Sequence, residues 1–277
     1  MIKSKGNRIY QVVRYTIMIV LGIIMVFPLY WICITSLKSS GEIFSNPPVF
    51  LPSNPEWGNF IEVFKQLPFL KWIINTFFVS IVITVIALLT HSMSGYALAR
   101  LNFKGRNKIF IFMISTLMIP FASIMVPLFI IIRQLGWYDS YLALIVPAIP
   151  NAFGIFLMRQ FYLGIPKELE EASRLDGCSI VGTFFKIILP ISKPMLAALA
   201  VFFFIANWNS FLWPMIVTSS ESMKLIQVGI ASYAGDYYNP WAYIMAANTV
   251  ALIPTLFIFI FLQKQLMTSI TMSGIKS

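Results

Sequence analysis

The sequence predicts an all-α integral membrane protein with six transmembrane helices, and three observations support this fold class. First, 58% of the 277 residues are hydrophobic and only 11% are charged, whereas a soluble domain carries roughly 25% charged residues. Second, six intervals between charged residues reach the length needed to cross a bilayer, which is about 20 apolar residues. Third, Lys and Arg are divided unevenly between alternate connections. The excess apolar surface must therefore face lipid.

The six predicted spans lie between runs of charged residues. They are Tyr15–Leu37, Trp72–Ala99, Ile109–Ile132, Ser140–Met158, Pro194–Ser220 and Tyr237–Gln263. The segment Leu225–Gly235 is too short to cross and is predicted to lie at the membrane interface. Prolines within or beside most spans remove backbone hydrogen bonds that neighbours or water must replace. This pattern suits either helices that bend around a cavity or fixed kinks in a bundle.

The distribution of basic residues predicts that both termini are cytoplasmic. With that orientation, fifteen of the twenty Lys and Arg residues fall in cytoplasmic segments, as the positive-inside rule requires. The basic residues lie between apolar runs, a pattern that favours membrane orientation over nucleic-acid binding. The predicted organisation is a cytoplasmic N-terminus (1–14), a six-span domain (15–263) with a cytoplasmic loop at 160–193, and a cytoplasmic C-terminal tail (264–277).

The cytoplasmic loop contains a short stretch that concentrates the acidic residues. "ELEEASRLDG" holds four of the ten carboxylates of the chain and predicts a helix over Lys167–Asp176. Pro166 suits its first turn, the glutamates face the positive end of the helix dipole, and Gly177 can adopt the left-handed conformation that ends a helix. A second helix is predicted to follow and to stop at Pro190.

This predicted helix has one apolar stripe, formed by Ile165, Leu169, Ala172 and Leu175, with Glu170 and Arg174 turned away from it. A capped helix with an apolar stripe outside the bilayer favours a groove in a partner protein. A helix that lies on the membrane surface is the alternative left open by these features.

The same stretch resembles the EAA signature of permeases of binding-protein-dependent ABC importers. The matching residues are Glu171, Ala172 and Ser173, then Gly177, and then Ile187, Leu189 and Pro190 at the family spacing. Ser173 replaces the second Ala of the signature and Cys178 another small residue. Further segments are similar to the carbohydrate-uptake group and its smaller, maltose-type subunit: "NPPVFLPSNPEWGNFIEVF" (46–64), "GYALARLNFKGR" (95–106), "LGWYDSYLALIVP" (135–147), "FGIFLMRQFY" (153–162) and "NWNSFLWPMIV" (207–217).

The resemblance implies a MetI-like fold and a role in sugar import. It implies pairing with a second, homologous permease as a heterodimer, two cytoplasmic ABC ATPase subunits and an extracytoplasmic sugar-binding protein. ATP and Mg would be used by the ATPase subunits and no cofactor by this chain, which lacks the GxxxxGK[ST] phosphate-binding sequence. The residues implied to couple to the ATPase are Glu171, Ala172, Ser173, Leu175, Asp176, Gly177, Leu189 and Pro190.

Neutral amides within the predicted spans are the candidates for a substrate pathway. These are Asn75, Asn151, Asn207, Asn209 and Asn248. Amides can exchange hydrogen bonds with sugar hydroxyls, and aromatic faces such as Trp208 and Trp213 can stack on sugar rings. The alternative is that these side chains hydrogen-bond between helices or form an interfacial aromatic belt.

Other functions find less support in the sequence. A proton- or sodium-coupled carrier is the principal alternative, but carriers usually have intramembrane carboxylates, and the predicted spans contain none. No motif of an intramembrane enzyme occurs, so neither a catalytic residue nor a metal site is predicted. The single histidine, His91, is expected to pack or hydrogen-bond, and the unpaired Cys33 and Cys178 are expected to be ordinary neutral thiols.

Overall fold

A computed structural model describes the backbone of residues 5–236 and 241–274 and the side chains of residues 10–233 and 241–261. Within these ranges the chain is helical and contains no β-strand. The α-helices are α1 (Lys5–Thr35), α2 (Ser40–Ile43), α3 (Gly58–Gln66), α4 (Phe69–Arg100), α5 (Arg106–Ser115), α6 (Phe121–Gln134), α7 (Tyr141–Ile145), α8 (Ala152–Leu163), α9 (Glu168–Leu175), α10 (Ile180–Thr183), α11 (Leu189–Ile191), α12 (Lys193–Trp208), α13 (Leu212–Val217), α14 (Ile226–Asp236) and α15 (Trp241–Gly274).

Three single helices and three bent helix pairs are long and apolar enough to cross a membrane. The single helices contribute Tyr10–Thr35, Phe69–Arg100 and Trp241–Phe261. The bent pairs are Arg106–Met118 with Phe121–Gln134, Tyr141–Ala148 with Ala152–Leu163, and Ile180–Ile191 with Lys193–Trp208, with bends of 102°, 40° and 75°. If each pair forms one span, the chain has six, which is the predicted number.

The structure interrupts two of the predicted spans. The interval Ile109–Ile132 is not one straight helix, because the chain turns by 102° between the two helices that flank Pro120. The interval Pro194–Ser220 is not continuous either: α12 ends at Trp208, and the chain continues into the separate short helix α13. In both places the hydropathy of the segment identified the apolar run, and Pro120 marks the first of the two breaks.

The ends of the spans also differ from the predicted organisation. Helix α1 runs without a break through residues 14 and 15, and α15 continues through residues 263 and 264 to Gly274. Residues 1–4, 237–240 and 275–277 of the predicted terminal segments and sixth span lie outside the described residues. Helix α14 has 11 residues, too few to span a bilayer, as predicted for Leu225–Gly235.

The chain divides into two compact units. One comprises Met1–Phe69 and Ile230–Ile253, and the other comprises Leu70–Gly229 and Pro254–Ser277. In the first unit, the connection after α1 is held by buried polar groups: Asn59 Nδ2 donates to the carbonyl oxygens of Ser36 and Lys38 at 2.9 and 3.3 Å. The Lys38 ammonium lies 4.0 Å from the centre of the Trp31 ring, a favourable cation–π distance.

The second unit has two cores of buried apolar side chains. One contains Tyr96, Ala99, Met158, Tyr162, Ile165, Phe184, Ile188, Leu199 and Phe203. The other contains Val79, Ile83, Ile132, Ala143, Leu144, Trp213, Val217 and Leu225. Helix α4 contributes to both cores, so it connects these two regions of the unit.

His91 lies buried between helices of the second unit, which confirms its predicted packing role. The side chain is 1% exposed, and its Nε2 lies 2.9 Å from the carbonyl oxygen of Ile149. A Cβ at Gly154 would lie 2.4 Å from His91 Nδ1, so only glycine allows this close approach.

Candidate functional site

Helix α9 is a short element whose C-terminal end is closed by local hydrogen bonds. It begins at Glu168 after the N-cap residue Lys167, so Pro166 precedes the cap and does not occupy the predicted first turn. Gly177 has φ of 80°, which confirms the predicted left-handed stop. The amide of Cys178 donates to the carbonyl of Ser173 at 2.9 Å, and that of Gly177 to Arg174 at 3.0 Å. These two bonds form a Schellman motif.

The outer face of α9 is open to solvent. Leu175 is 90% exposed and Leu169 is 41% exposed, and Glu171, Ala172 and Asp176 are also exposed. An isolated leucine side chain exposed to this extent loses the free energy of burial, roughly 1.5–3 kcal/mol. Three residues of the predicted apolar stripe, Leu169, Ala172 and Leu175, therefore lie on a surface that a partner could cover, together with two carboxylates, whereas Ile165 is 8% exposed and lies in the core that contains Tyr96.

The inner face of α9 is anchored by a buried ion pair that sequence reasoning missed. Glu170 Oε1 lies 2.9 Å from Arg100 Nε at the end of α4, and the two side chains are 7% and 5% exposed. The Tyr96 hydroxyl donates to Glu170 Oε2 at 3.1 Å, and Arg100 Nη2 donates to the carbonyl of Ile165. Glu170 does face away from the apolar stripe, but towards the protein interior.

Three predicted coupling residues do not lie on the open face. Ser173 is 2% exposed, and its hydroxyl lies 2.6 Å from that of Thr183. Leu189 packs partly buried against the core that contains Tyr96. Pro190 is exposed, but the helical turn continues through Ile191 and breaks at Ser192, so Pro190 does not stop the second helix as predicted.

The second functional candidate is a cavity of about 450 Å³ in the same unit. Its volume lies within the range of small-molecule sites, roughly 300–1,000 Å³. It is lined by Val79, Ile83, Phe121, Leu144, Pro147, Ala148, Asn207, Asn209, Ser210, Phe211, Leu212, Trp213, Pro214 and Leu225. These described residues include aromatic rings, two amides and a hydroxyl, but no ionisable side chain.

Two of the five pathway asparagines line this cavity. Asn207 Nδ2 donates to the carbonyl of Phe203 at 2.7 Å, which leaves its amide oxygen available. Asn209 Nδ2 donates to Ile205 at 2.9 Å, and Gln227 Nε2 donates to its oxygen at 3.4 Å.

The other three asparagines have structural roles instead. Asn75 is fully buried; it donates to the carbonyls of Ser222 and Lys224 and accepts a bond from Tyr141. Asn151 caps α8. Asn248 belongs to the other unit and donates to the carbonyl one turn earlier. None of the three lines the cavity.

The two aromatic candidates, Trp208 and Trp213, differ in their surroundings. Trp208 is 1% exposed and packs against Phe204 and Phe77, so its ring faces are covered. Trp213 lines the cavity, and its Nε1 donates to the carbonyl of Ala143 at 2.9 Å, which fixes the indole.

Asp139 fixes the end of helix α13, which contributes to the cavity wall. Its amide donates to the carbonyl of Val217, and its Oδ1 accepts bonds from the amides of Ser219 and Ser220 at 2.9 and 3.1 Å. Burial raises the pKa of Asp139, but these hydrogen bonds outweigh it and hold the pKa below its ordinary value.

Residues 91–271 match the family described as the binding-protein-dependent transport system inner membrane component. The chain belongs to this family. The permease is 39% identical over 259 residues to the arabinooligosaccharides transport system permease protein AraQ of Halalkalibacterium halodurans, covering 92% of this chain and 93% of that protein. It is 31% identical to the lactose transport system permease protein LacG of Rhizobium radiobacter, covering 96% of each.

The fold of the permease also matches a solved transporter. A chain in the crystal structure of a bacterial ABC transporter involved in the import of the acidic polysaccharide alginate superposes with a TM-score of 0.83 and 24% identity, covering 95% of this chain and 99% of that one. The permease therefore has the fold of an ABC importer permease.

Membership of this family decides between the alternatives left open by the sequence. The protein is a membrane-embedded transport subunit of an ABC importer; it is neither an enzyme nor a proton- or sodium-coupled carrier. An importer of this type works with a partner permease, an ATPase and a binding protein.

Proposed function

We propose that this permease forms half of the translocation pathway of a sugar importer and is driven through helix α9. The observation that carries the proposal is the two-sided character of α9. One face is open, with Leu175 90% exposed, and the other is fixed to α4 by the buried pair Glu170–Arg100. A partner that moved the open face would therefore move α4, because a buried ion pair resists separation.

The proposed partners are those implied by the family signature. A homologous second permease completes the pathway as a heterodimer, and an extracytoplasmic sugar-binding protein delivers the substrate. Two cytoplasmic ABC ATPase subunits bind ATP and Mg, and one of them receives α9 in a groove. Both termini are cytoplasmic in this arrangement, which the excess of Lys and Arg in the corresponding connections supports.

A neutral sugar is the substrate class that fits the cavity. Relatives are named for the transport of arabinooligosaccharides and of lactose, and another, 34% identical, for sn-glycerol-3-phosphate, so the choice of a neutral sugar rests on the cavity lining. The cavity offers the amides of Asn207 and Asn209, the hydroxyl of Ser210 and the rings of Phe121 and Phe211. Hydroxyl-rich ligands suit such groups, whereas a phosphorylated or acidic sugar would need a cation that the cavity lining lacks.

Replacing Asn207 tests the cavity as part of the sugar pathway. In the complete importer reconstituted in vesicles, Asn207→Leu should lower sugar uptake several-fold, since one buried hydrogen bond contributes roughly 1 kcal/mol. Asn248→Leu is the matched control, because both amides donate to the carbonyl four residues earlier and only Asn207 lines the cavity. Equal uptake by the Asn207 variant and the wild type would contradict a role for this cavity.

A further inference from the structure

A group of basic residues at one end of helices α5 and α8 has no acidic partner. Lys104, Arg106 and Lys108 lie at the start of α5, and Arg159 lies in the last turns of α8. No Asp or Glu occurs in the sequence between Glu62 and Asp139. Arg100, the nearest other cation in sequence, is neutralised by Glu170. Among the described residues, these four basic side chains form no ion pair.

The two arginines make contacts that leave most of their donors unused. Arg159 Nε donates to the carbonyl of Leu98 at 3.3 Å, and its guanidinium carbon lies 3.9 Å from the centre of the Phe110 ring. Arg106 Nη1 donates to the carbonyl of Leu101 at 3.0 Å. Phe110 lies four residues after Arg106 on α5, so the contact with its ring brings Arg159 to the first turns of that helix. Each guanidinium has five N–H donors, so the pair can still bind a shared anion.

The local backbone favours an anion at the same place. Gly105 has φ of 89° and turns the chain so that the ten-residue helix α5 begins at Arg106. The amino end of a helix carries partial positive charge and free amide donors. A phosphate there would meet the helix dipole and the planar guanidinium groups, which match phosphate oxygens in geometry.

The apolar surface beside the basic group indicates what carries the phosphate. Ile109, Ile111 and Phe112 of α5 are 51%, 67% and 74% exposed, and α5 belongs to one of the bent pairs that can cross a membrane. A ligand with a phosphate at Arg106 and hydrocarbon along α5 would satisfy both surfaces. We propose that Lys104, Arg106, Lys108 and Arg159 bind the phosphate of an anionic phospholipid, whose acyl chain lies on the exposed apolar face of α5.

This proposal is tested by measuring lipid retention on the complete importer. The complex is reconstituted in nanodiscs that contain phosphatidylcholine with phosphatidylglycerol, and the lipids that remain bound after release into detergent are counted by native mass spectrometry. Wild type should retain phosphatidylglycerol in preference to phosphatidylcholine. Arg106→Gln and Arg159→Gln should each weaken retention about fivefold.

Two further variants separate a specific site from misfolding and from diffuse attraction. Lys104→Gln combined with Lys108→Gln changes only exposed side chains and should also reduce retention while the complex stays assembled. Lys193→Gln removes an exposed cation at the start of α12 and should leave retention unchanged. Equal retention in all variants, or an equal loss with Lys193→Gln, would overturn the proposal.

Two added conditions identify the source of the anion. Inorganic phosphate added during release should not displace phosphatidylglycerol, because the acyl chain contributes to binding; complete displacement would mean a site for free phosphate and would overturn the lipid assignment. Retention should be the same with and without the ATPase subunits. Loss of the lipid only when they bind would mean that a carboxylate of the ATPase neutralises the basic group, and this outcome also counts against the proposal.

Discussion

At the scale of single residues, the ion pair between Glu170 and Arg100 determines how firmly α9 is attached. Both side chains are at least 93% buried, and removal of one member of a buried pair costs roughly 3–5 kcal/mol because the other charge is left unpaired. Arg100 also donates to the carbonyl of Ile165, just before α9, so one guanidinium holds both the helix and its approach. A lysine could not make both contacts with the same fixed geometry.

Glu170→Gln should therefore loosen α9 while leaving its open face intact. We expect a lower melting temperature of the purified importer and weaker stimulation of ATP hydrolysis by the sugar-loaded binding protein. Glu168→Gln is the control, since Glu168 is exposed in the same helix. If the Glu170 variant kept wild-type stimulation and the same melting temperature, the ion pair would not be the connection between α9 and α4.

At the scale of elements, the conformation of α9 was predictable from sequence and its surroundings were not. The Asp-Gly pair after a helical stripe identifies a left-handed helix end because glycine tolerates positive φ locally. The burial of Glu170 depends on Arg100, which lies 70 positions away in the chain, and no local pattern reports that contact. The break of the third span is a second example. Pro120 signals an interruption, but the angle of 102° between the two helices is set by packing.

Gly177→Val should strain the end of α9, because a β-branched residue resists a φ of 80°. No atom lies within 4 Å of the position that a Cβ would take on this glycine, so the effect would be conformational and not a steric clash. We expect a loss of roughly 1–2 kcal/mol at the helix end and a several-fold drop in sugar-stimulated ATP hydrolysis. Gly41→Ala, at an open position without positive φ, should have little effect.

Leu175→Asp should prevent the ATPase subunits from co-purifying with the permease. The leucine is 90% exposed, so the substitution should not unfold the permease, but a carboxylate in an apolar groove would be desolvated at high cost. Val181→Asp changes another exposed apolar residue, on α10, and should retain the ATPase. Full retention by the Leu175 variant would exclude this face as the contact.

At the scale of the whole molecule, the cavity and α9 belong to one compact unit that contains α4. Helix α4 supplies Val79 and Ile83 to the cavity wall and Tyr96 and Arg100 to the anchor of α9. Since these four residues lie on one continuous helix, displacement of α9 would reach the cavity through a stiff element. The proposed substrate wall and the proposed coupling surface are therefore connected by one continuous helix within this chain.

The orientation of the whole molecule can be measured with its own cysteines. Cys178 follows α9, and Cys33 is the other free thiol of the chain. In a Cys33→Ser variant, a membrane-impermeant maleimide should label Cys178 in inverted vesicles and not in intact cells, because α9 is proposed to face the cytoplasm. The Cys178→Ser variant controls for labelling elsewhere. Labelling of Cys178 from outside the cell would place α9 on the wrong side for an ATPase.

The Schellman closure of α9 has a consequence for repeated cycles of transport. Because Gly177 and Cys178 satisfy carbonyls of the last turn and Glu170 is paired with Arg100, contacts within this chain hold the helix in shape. After dissociation of a bound ATPase, the helix would therefore remain folded. Renewed binding of the ATPase to α9 would then involve no further loss of backbone entropy, which for an unstructured segment costs roughly 1–2 kcal/mol per residue.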